Sequence, residues 1–398
     1  MTPREKLYLS AWQATFKAPE ASLAKWKLLA TIYPDFYAGV GSYSFFSWRI
    51  ANDFPSAVAA AESTLTPQNP HKTISRFFLG NLYLGEEKYN ESLKSYDEAV
   101  KAGIIRTEYL AAAYAAKHDF REANHWLKRS KPSGVPAGDL DSYVNGIAIR
   151  LDQGDWSDAY SVLAEAQRQA NSLGTRSGTQ FRLIYLSLKS LTAPRDGFQA
   201  KLINYVAHVN AAMRGESQVN LDDNKFRLAF SAYLAAKTSH PDLAKKVLNE
   251  LVISTSGLPA TANMKTIAEA ELALAHKDPH EAIRQLRPLV NGTELFVTHV
   301  VLLDAYQASG NLEAASAEAR WLASHRGRAY AEYSVQWITT AFNVAETDLA
   351  LLDQAELAAR QGDKNLAAQK LDAFHKAWPS ADRLPWLDSR LSALKALH

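Results

Sequence analysis

Cysteine is missing from all 398 positions, which excludes disulfides, zinc–thiolate sites, iron–sulfur clusters and a thiol nucleophile. The absence fits a reducing compartment. The N-terminus, Met1-Thr-Pro-Arg-Glu-Lys, is charged and has no apolar signal region, so a cytoplasmic chain is expected. Long apolar runs are missing as well. The most apolar stretch, residues 296–306, is too short to span a bilayer and is broken by His299 and Asp304, so no membrane insertion is expected. Neither sign of charge is in excess: 44 basic residues face 42 acidic ones, a net charge of +2. Phosphate neutralisation needs a clustered basic surplus. The densest basic run is Lys128, Arg129 and Lys131, so nucleic acid is not expected as a partner. Period-two strand patterns are nearly absent, which argues against a mixed fold.

What is present is the composition of a folded protein, 47% hydrophobic and 22% charged, which excludes wholesale disorder. At this length one ordinary core is exceeded, and two or three globular domains are the default. A stack of repeats escapes that default, because each unit buries its apolar face only against its neighbours. The clearest unit covers residues 73–103 and carries Leu79-Gly80-x2-Tyr83, then Tyr89, Ser92, Tyr96 and Ala99. Gly80 and Ser92 are small where two helices must cross closely. A column of small residues opening each second helix recurs at Ser22, Ala57, Ser92, Ala123, Ala159, Ala200, Ala244, Ala282, Ala315 and Ala367. Its successive spacings are 35, 35, 31, 36, 41, 44, 38, 33 and 52 residues.

These residues resemble the tetratricopeptide repeat (TPR) superfamily, whose period is about 34 residues. Its first helix carries the Leu-Gly-x2-Tyr pattern, and Arg76 stands where the superfamily prefers Trp. The resemblance covers nearly the whole chain. It implies an all-α, right-handed superhelical solenoid of about ten antiparallel helix pairs with a C-terminal capping helix. Three stretches are expected: N-terminal repeats over 1–130, degenerate repeats with longer loops over 131–262, and C-terminal repeats over 263–398. The 52-residue gap leaves room for an inserted helix near 327–342, and an amphipathic stretch over 384–397 reads as the cap. Segments 131–139, 171–179, 215–220 and 254–262, rich in Gly, Pro and Ser, read as longer inter-repeat loops.

Motifs that carry chemistry fail on inspection. His280-Glu281 opens a zinc-protease pattern, but Arg284 stands where the second histidine must be. Ser22-x2-Lys25 matches a serine-acylase pattern without its companions, and Ser22 already belongs to the small-residue column. Gly39 and Gly41 are not followed by the Lys-Ser/Thr of a phosphate-binding loop. No catalytic residue, metal or cofactor is expected, and the chain is read as a binder, not an enzyme.

The concave face remains. In TPR stacks the first helices line it through positions 2, 5, 9 and 12, which in the best repeat are Ile74, Phe77, Asn81 and Leu84. Asn81 matches the asparagine with which peptide-binding members hold a ligand backbone. Phe77 stands where carboxylate-clamp members carry lysine, which departs from that clamp. Corresponding positions elsewhere include Phe46, Arg49, Arg182, Tyr185, Lys189 and Tyr233. Together they describe a mixed apolar and basic groove for an extended or helical peptide with some acidic character. The first 54 residues hold twelve aromatics, read chiefly as packing between helices and secondarily as a contact surface.

The opening Thr2-Pro3-Arg4-Glu5-Lys6-Leu7-Tyr8-Leu9, with Trp26-Lys27-Leu28-Leu29, Tyr33, Pro34 and Asp35, resembles the C-terminal TPR region of bacterial multidomain regulators. There it follows a cyclase-like, kinase or winged-helix output domain. The resemblance implies a signalling arm that binds protein or peptide. The alternative is a sensor that takes a small ligand between repeats.

Overall fold

The computed structural model describes residues 1–192, 197–214, 218–251 and 258–395. Among them no strand occurs, and the chain is an all-α solenoid of ten helix pairs. The first five pairs are α1 (Pro3–Lys17) with α2 (Pro19–Ile32), α3 (Tyr37–Ala51) with α4 (Phe54–Ser63), α5 (Lys72–Gly85) with α6 (Tyr89–Lys101), α7 (Glu108–Ala116) with α8 (Phe120–Arg129), and α9 (Pro136–Asp152) with α10 (Trp156–Ser172). Four more follow: α11 (Thr175–Leu191) with α12 (Phe198–Ala212), α13 (Gln218–Lys237) with α14 (Pro241–Glu250), α15 (Pro259–Ala275) with α16 (Pro279–Leu286), and α17 (Phe296–Ala308) with α18 (Leu312–Ser324). An insertion, α19 (Arg326–Ala331) and the single turn α20 (Ser334–Trp337), precedes the tenth pair, α21 (Thr340–Arg360) with α22 (Lys364–Ala377). The short α23 (Asp388–Lys395) closes the described chain.

Three local devices recur along the stack, and six of the ten pairs carry all three. A left-handed residue ends the first helix at Asn52, Glu87, His118, Gly154, Ser239, Lys277, Gly310 and Gly362. The next N–H then reaches back to the last turn, as from Lys88 to the Tyr83 carbonyl at 2.9 Å and from Asp155 to that of Arg150 at 2.8 Å. This closure satisfies carbonyls that a helix end leaves free. Asp53, Asp119, Asp155, Asp278, Asn311 and Asp363 then cap the second helix, each accepting the N–H three residues on. Such caps contribute about 1 kcal/mol each.

The third device is the small residue at the fourth position of the second helix. Ser22, Ala57, Ser92, Ala123, Ala159, Ala244, Ala282 and Ala315 are fully buried there, and Ala367 is 3% exposed. At the best repeat the crossing is tight. The Ser92 hydroxyl donates to the Gly80 carbonyl at 2.6 Å, and a Cβ on Gly80 would lie 2.6 Å from the Tyr96 ring. Ala200 is the exception: it is exposed, and α12 buries the bulky face Phe198, Leu202, Tyr205 and Val209 instead.

First helices pack on first helices, as α3 on α5, α5 on α7 and α13 on α15, so they form an inner row. The row turns far enough that α1 touches α13 and α3 touches α15. Asn52 pins that closure by donating to the carbonyls of Thr293 at 3.3 Å and Glu294 at 2.7 Å. The axis so enclosed is not empty. Helix α21 runs through it against α9, α11 and α18, and is buried without a break from Thr340 to Ala350.

Of the expected loops, the first is a non-helical run up to Val135, whereas 171–179 shrinks to a break at Leu173 and Gly174 before α11. Residues 215–217 and 254–257 lie outside the described residues. The capping stretch is present as α23, with Leu391 and Leu394 buried, and 396–397 lie outside the described residues.

Candidate functional site

The inserted helix expected near 327–342 is a broken segment, and it lies in the inner groove. Its backbone receives what groove side chains of a peptide binder offer a ligand. The Ala331 carbonyl accepts from Trp48 Nε1 at 3.0 Å and from Asn81 Nδ2 at 3.3 Å. The Gln336 carbonyl accepts from Gln180 Nε2 at 2.6 Å, and its side chain from Arg227 Nη2 at 3.1 Å. The Glu87 carboxylate accepts the N–H groups of Gly327 and Arg328 at 2.9 and 2.8 Å. Burial pushes the Glu87 carboxyl up, and the contacts with Tyr89 and these N–H groups work against it. Between α19 and α21 the chain winds left-handed through Ser334, Val335, Gln336 and Trp337, at φ of 24, 51, 63 and 62°. Such backbone costs about 1–2 kcal/mol per residue and persists only where surroundings over-determine it. Here Trp337 enters one apolar core while Val335 enters another.

A buried charge node anchors the segment. Arg326 Nη1 lies 2.7 Å from Asp348 Oδ1, Nη2 pairs with Asp152, and the Tyr330 hydroxyl donates to Asp152 at 2.7 Å. Trp378 Nε1 adds a bond to Asp348 at 3.1 Å. His118, Asp152 and Asp348 are the one group among the described residues whose ligand atoms lie within 4.8 Å of one another. The Arg326 guanidinium already sits between both carboxylates and takes an oxygen of each, so the trio does not fit a resident cation. Ser22 is equally committed: its hydroxyl donates to the Pro19 carbonyl at 2.6 Å, while Lys25 turns to Ser10.

The eight groove positions read from sequence separate into three places. Asn81 does hold a backbone carbonyl, but one of its own chain, and Phe77 is wedged against Tyr96 and Tyr109. Tyr233 faces inward but is fully buried under Phe342 of α21, which corrects its reading as a contact residue. Arg182, Tyr185 and Lys189 are not on the inner row. Arg182 and Tyr185 line an outward cavity with Tyr205 of α12, and Lys189 Nζ sits 4.2 Å from the Tyr160 ring of α10. Sequence register cannot tell these faces apart when α10 and α12 flank α11 on the outside. The inner positions of α11 are Gln180 and its neighbours.

Phe46 and Arg49 fall in the third place, where the N-terminal aromatics leave a cleft of about 360 Å³ between α1, α3 and α5. Trp12, Phe45, Ile74 and Phe78 wall it, Phe46 (3% exposed) is its floor, and Ser42, Ser75 and His71 edge it. Gly41 opens onto it, and a Cβ there would meet nothing within 4 Å. Arg49 stands beside it, 5.9 Å over the Phe45 ring and 5.4 Å over Tyr333, with no ion pair among the described residues. This is an apolar concavity with a few polar groups at its rim, the usual form of a ligand seat.

No family model matches the chain and no curated protein matches its sequence. Among solved structures it is similar to the TPR domain of P58(IPK), at 13% identity over 100% of this chain and 98% of that one, with a TM-score of 0.26. It is also similar to a chain of Naa15/Naa10 bound to HypK-THB, at 16% identity over 95% of this chain and 61% of that one, with a TM-score of 0.25. The solenoid assignment rests on the helix pairs described above. No helix among the described residues is long and apolar enough to cross a membrane.

Proposed function

We propose that the protein is an interaction scaffold that seats a peptide segment of a partner protein in the N-terminal aromatic cleft. The observation that carries this reading is the open apolar cavity beside an inner groove already filled by the chain itself. A large apolar side chain would enter between Trp12, Phe45 and Phe78, gaining about 1.5–3 kcal/mol on full burial. Arg49, in no ion pair among the described residues, offers a fork for an acidic neighbour of that anchor. The similarity of the first repeats to bacterial regulators supports a place in cytoplasmic signalling.

A displayed library of random peptides tests this. Enriched sequences should join a large apolar residue to Asp or Glu. Gly41→Trp, at a position where a Cβ meets nothing within 4 Å, puts an indole in the cleft in place of the ligand and should weaken the selected peptides at least tenfold in a titration. Arg49→Ala should weaken the acidic ones, and Ile203→Ala, exposed on α12, should change nothing. Selected peptides indifferent to Gly41→Trp would place the site elsewhere.

A further inference from the structure

A second cavity, of about 320 Å³, opens between α11, α13, α17, α21 and α23 and is built unlike the aromatic cleft. Leu303, Leu349 and Trp386 supply apolar wall, and Lys237, Asp304, Glu346, Asp353 and Arg390 line the rest. The titratable and charged groups around it are Lys237 with Tyr233 on α13, Glu271 on α15, Asp304 on α17, Glu346, Asp353 and Glu356 on α21, and Arg390 on α23, while α11 lines it with Ser190 and Leu191. Five carboxylates thus face two cations.

The cations are spent. Arg390 takes Asp353 at 2.6 Å and both oxygens of Glu356 at 2.7 and 3.0 Å. Lys237 takes Asp304 at 3.2 Å, and the Asp304 side chain, 42% exposed, stands toward solvent. Glu346 is left over. It lines the cavity, is 7% exposed, and makes no hydrogen bond among the described residues. Glu271, 6% exposed, likewise has an oxygen without a partner. A buried carboxylate without a donor is costly, and burial accordingly pushes both Glu346 and Glu271 up to about 7.

The missing counter-charge has a definable shape. These carboxylates do not converge as a metal cage does: among the described residues, three ligand atoms come within 4.8 Å of one another only at the Arg326 node. Separated carboxylates beside aliphatic and indole wall fit a cation that carries hydrogen-bond donors on an apolar stem. We propose that this cavity binds an organic ammonium ion, a primary alkylamine or short alkyl diamine, with the ammonium on Glu346 and the stem against Leu303, Leu349 and Trp386. The ammonium group has three donors for an acceptor-only carboxylate, and Trp386, which lines the cavity, offers indole surface to the methylenes.

Calorimetric titration of the full chain with 1,4-diaminobutane, butylamine and the neutral 1,4-butanediol tests the proposal. Both amines should bind and the diol should not. Binding near pH 7 should release protons, because a cation beside Glu346 favours its charged form. Titrations in two buffers of different ionisation enthalpy read that release directly. Glu346→Gln keeps the shape, breaks no hydrogen bond, and should weaken the diamine at least tenfold and remove most of the proton release. Gly41→Trp should leave diamine binding unchanged, which separates this site from the peptide cleft. The proposal is overturned if the diol binds as well as the diamine, if 10 mM diamine gives no heat and no thermal shift, or if Glu346→Gln binds it unchanged. Should that variant fail to fold, the contrast of diamine with diol and the proton release in the wild-type chain decide alone.

Discussion

The inner faces of α3 and α9 begin from the same repeat plan and end in opposite conditions. Along α3 Tyr37, Phe45 and Phe46 line an open cleft beside the covered Trp48, whereas α9 lies sealed under α21 with Asp152 fully buried. The difference is not in the repeats, which share their turns, caps and small crossing residue. It lies in the insertion after α18, which returns to the axis and covers some inner faces but not others. A solenoid groove is therefore a property of the whole chain, and inward helical positions alone do not make one.

Cutting the anchor of the sealed side should have the largest effect. Arg326→Met leaves Asp152 and Asp348 buried without their counter-charge, a loss of about 3–5 kcal/mol for breaking such a set by one partner. Urea denaturation should show it, and a loss below about 1 kcal/mol would mean that the insertion is not what closes the axis. The open side supplies the contrast, since Gly41→Trp should stay within about 0.5 kcal/mol, as surface changes do.

A smaller effect lies at the ring closure, where His299 holds Glu318 at 2.6 Å and Glu294 at 3.5 Å. Burial opposes charge on His299, but Glu294 and Glu318 outweigh it and raise its pKa above 6.5. Burial also opposes charge on Glu294, yet His299 and nearby N–H groups bring it down to about 2. The histidine's contribution is thus complete below about pH 6.5 and lost as pH rises through its raised value. That of Glu294 is present above about pH 4.5 and lost as pH falls toward 2. His299→Gln should cost about 1.5–3 kcal/mol near pH 5.5 and flatten the decline on the alkaline side, as chemical denaturation across pH would record. An unchanged alkaline limb would remove His299 from the closure.

The mildest change on the sealed side is Asn81→Ala. The Ala331 carbonyl keeps its bond from Trp48, so the loss should be about 0.5–1.5 kcal/mol. Hydrogen exchange at the inserted segment should quicken more than at α1.

Much of this architecture was legible in sequence, and for stated reasons. Nine of the ten small residues mark real crossings because a close approach of helices forbids bulk. The 52-residue gap between Ala315 and Ala367 holds α19, α20 and the 21-residue α21. Ala200 misled because alanine is also a good surface residue of a helix. What covers Asn81 was not legible: a donor aimed at a partner's backbone and one aimed at the chain's own backbone are the same residue. The left-handed residue five places before eight of the nine crossing residues was a signal available and unused. Only Gly154, Gly310 and Gly362 among the eight carry the glycine that usually betrays it.

The late position of the axial segment has a consequence for synthesis on the ribosome. Helix α5 ends at Gly85, but its covering strap begins at Arg326, roughly 240 residues later. At about 5–20 residues per second, the inner faces of the early helices wait on the order of 12–50 seconds for their own chain to arrive. During that interval Trp48 and Tyr109, which the strap covers through Tyr333 and Trp337, are uncovered, and the nascent protein is a client for whatever shields aromatic surface. The finished molecule hides the groove that its unfinished form presents.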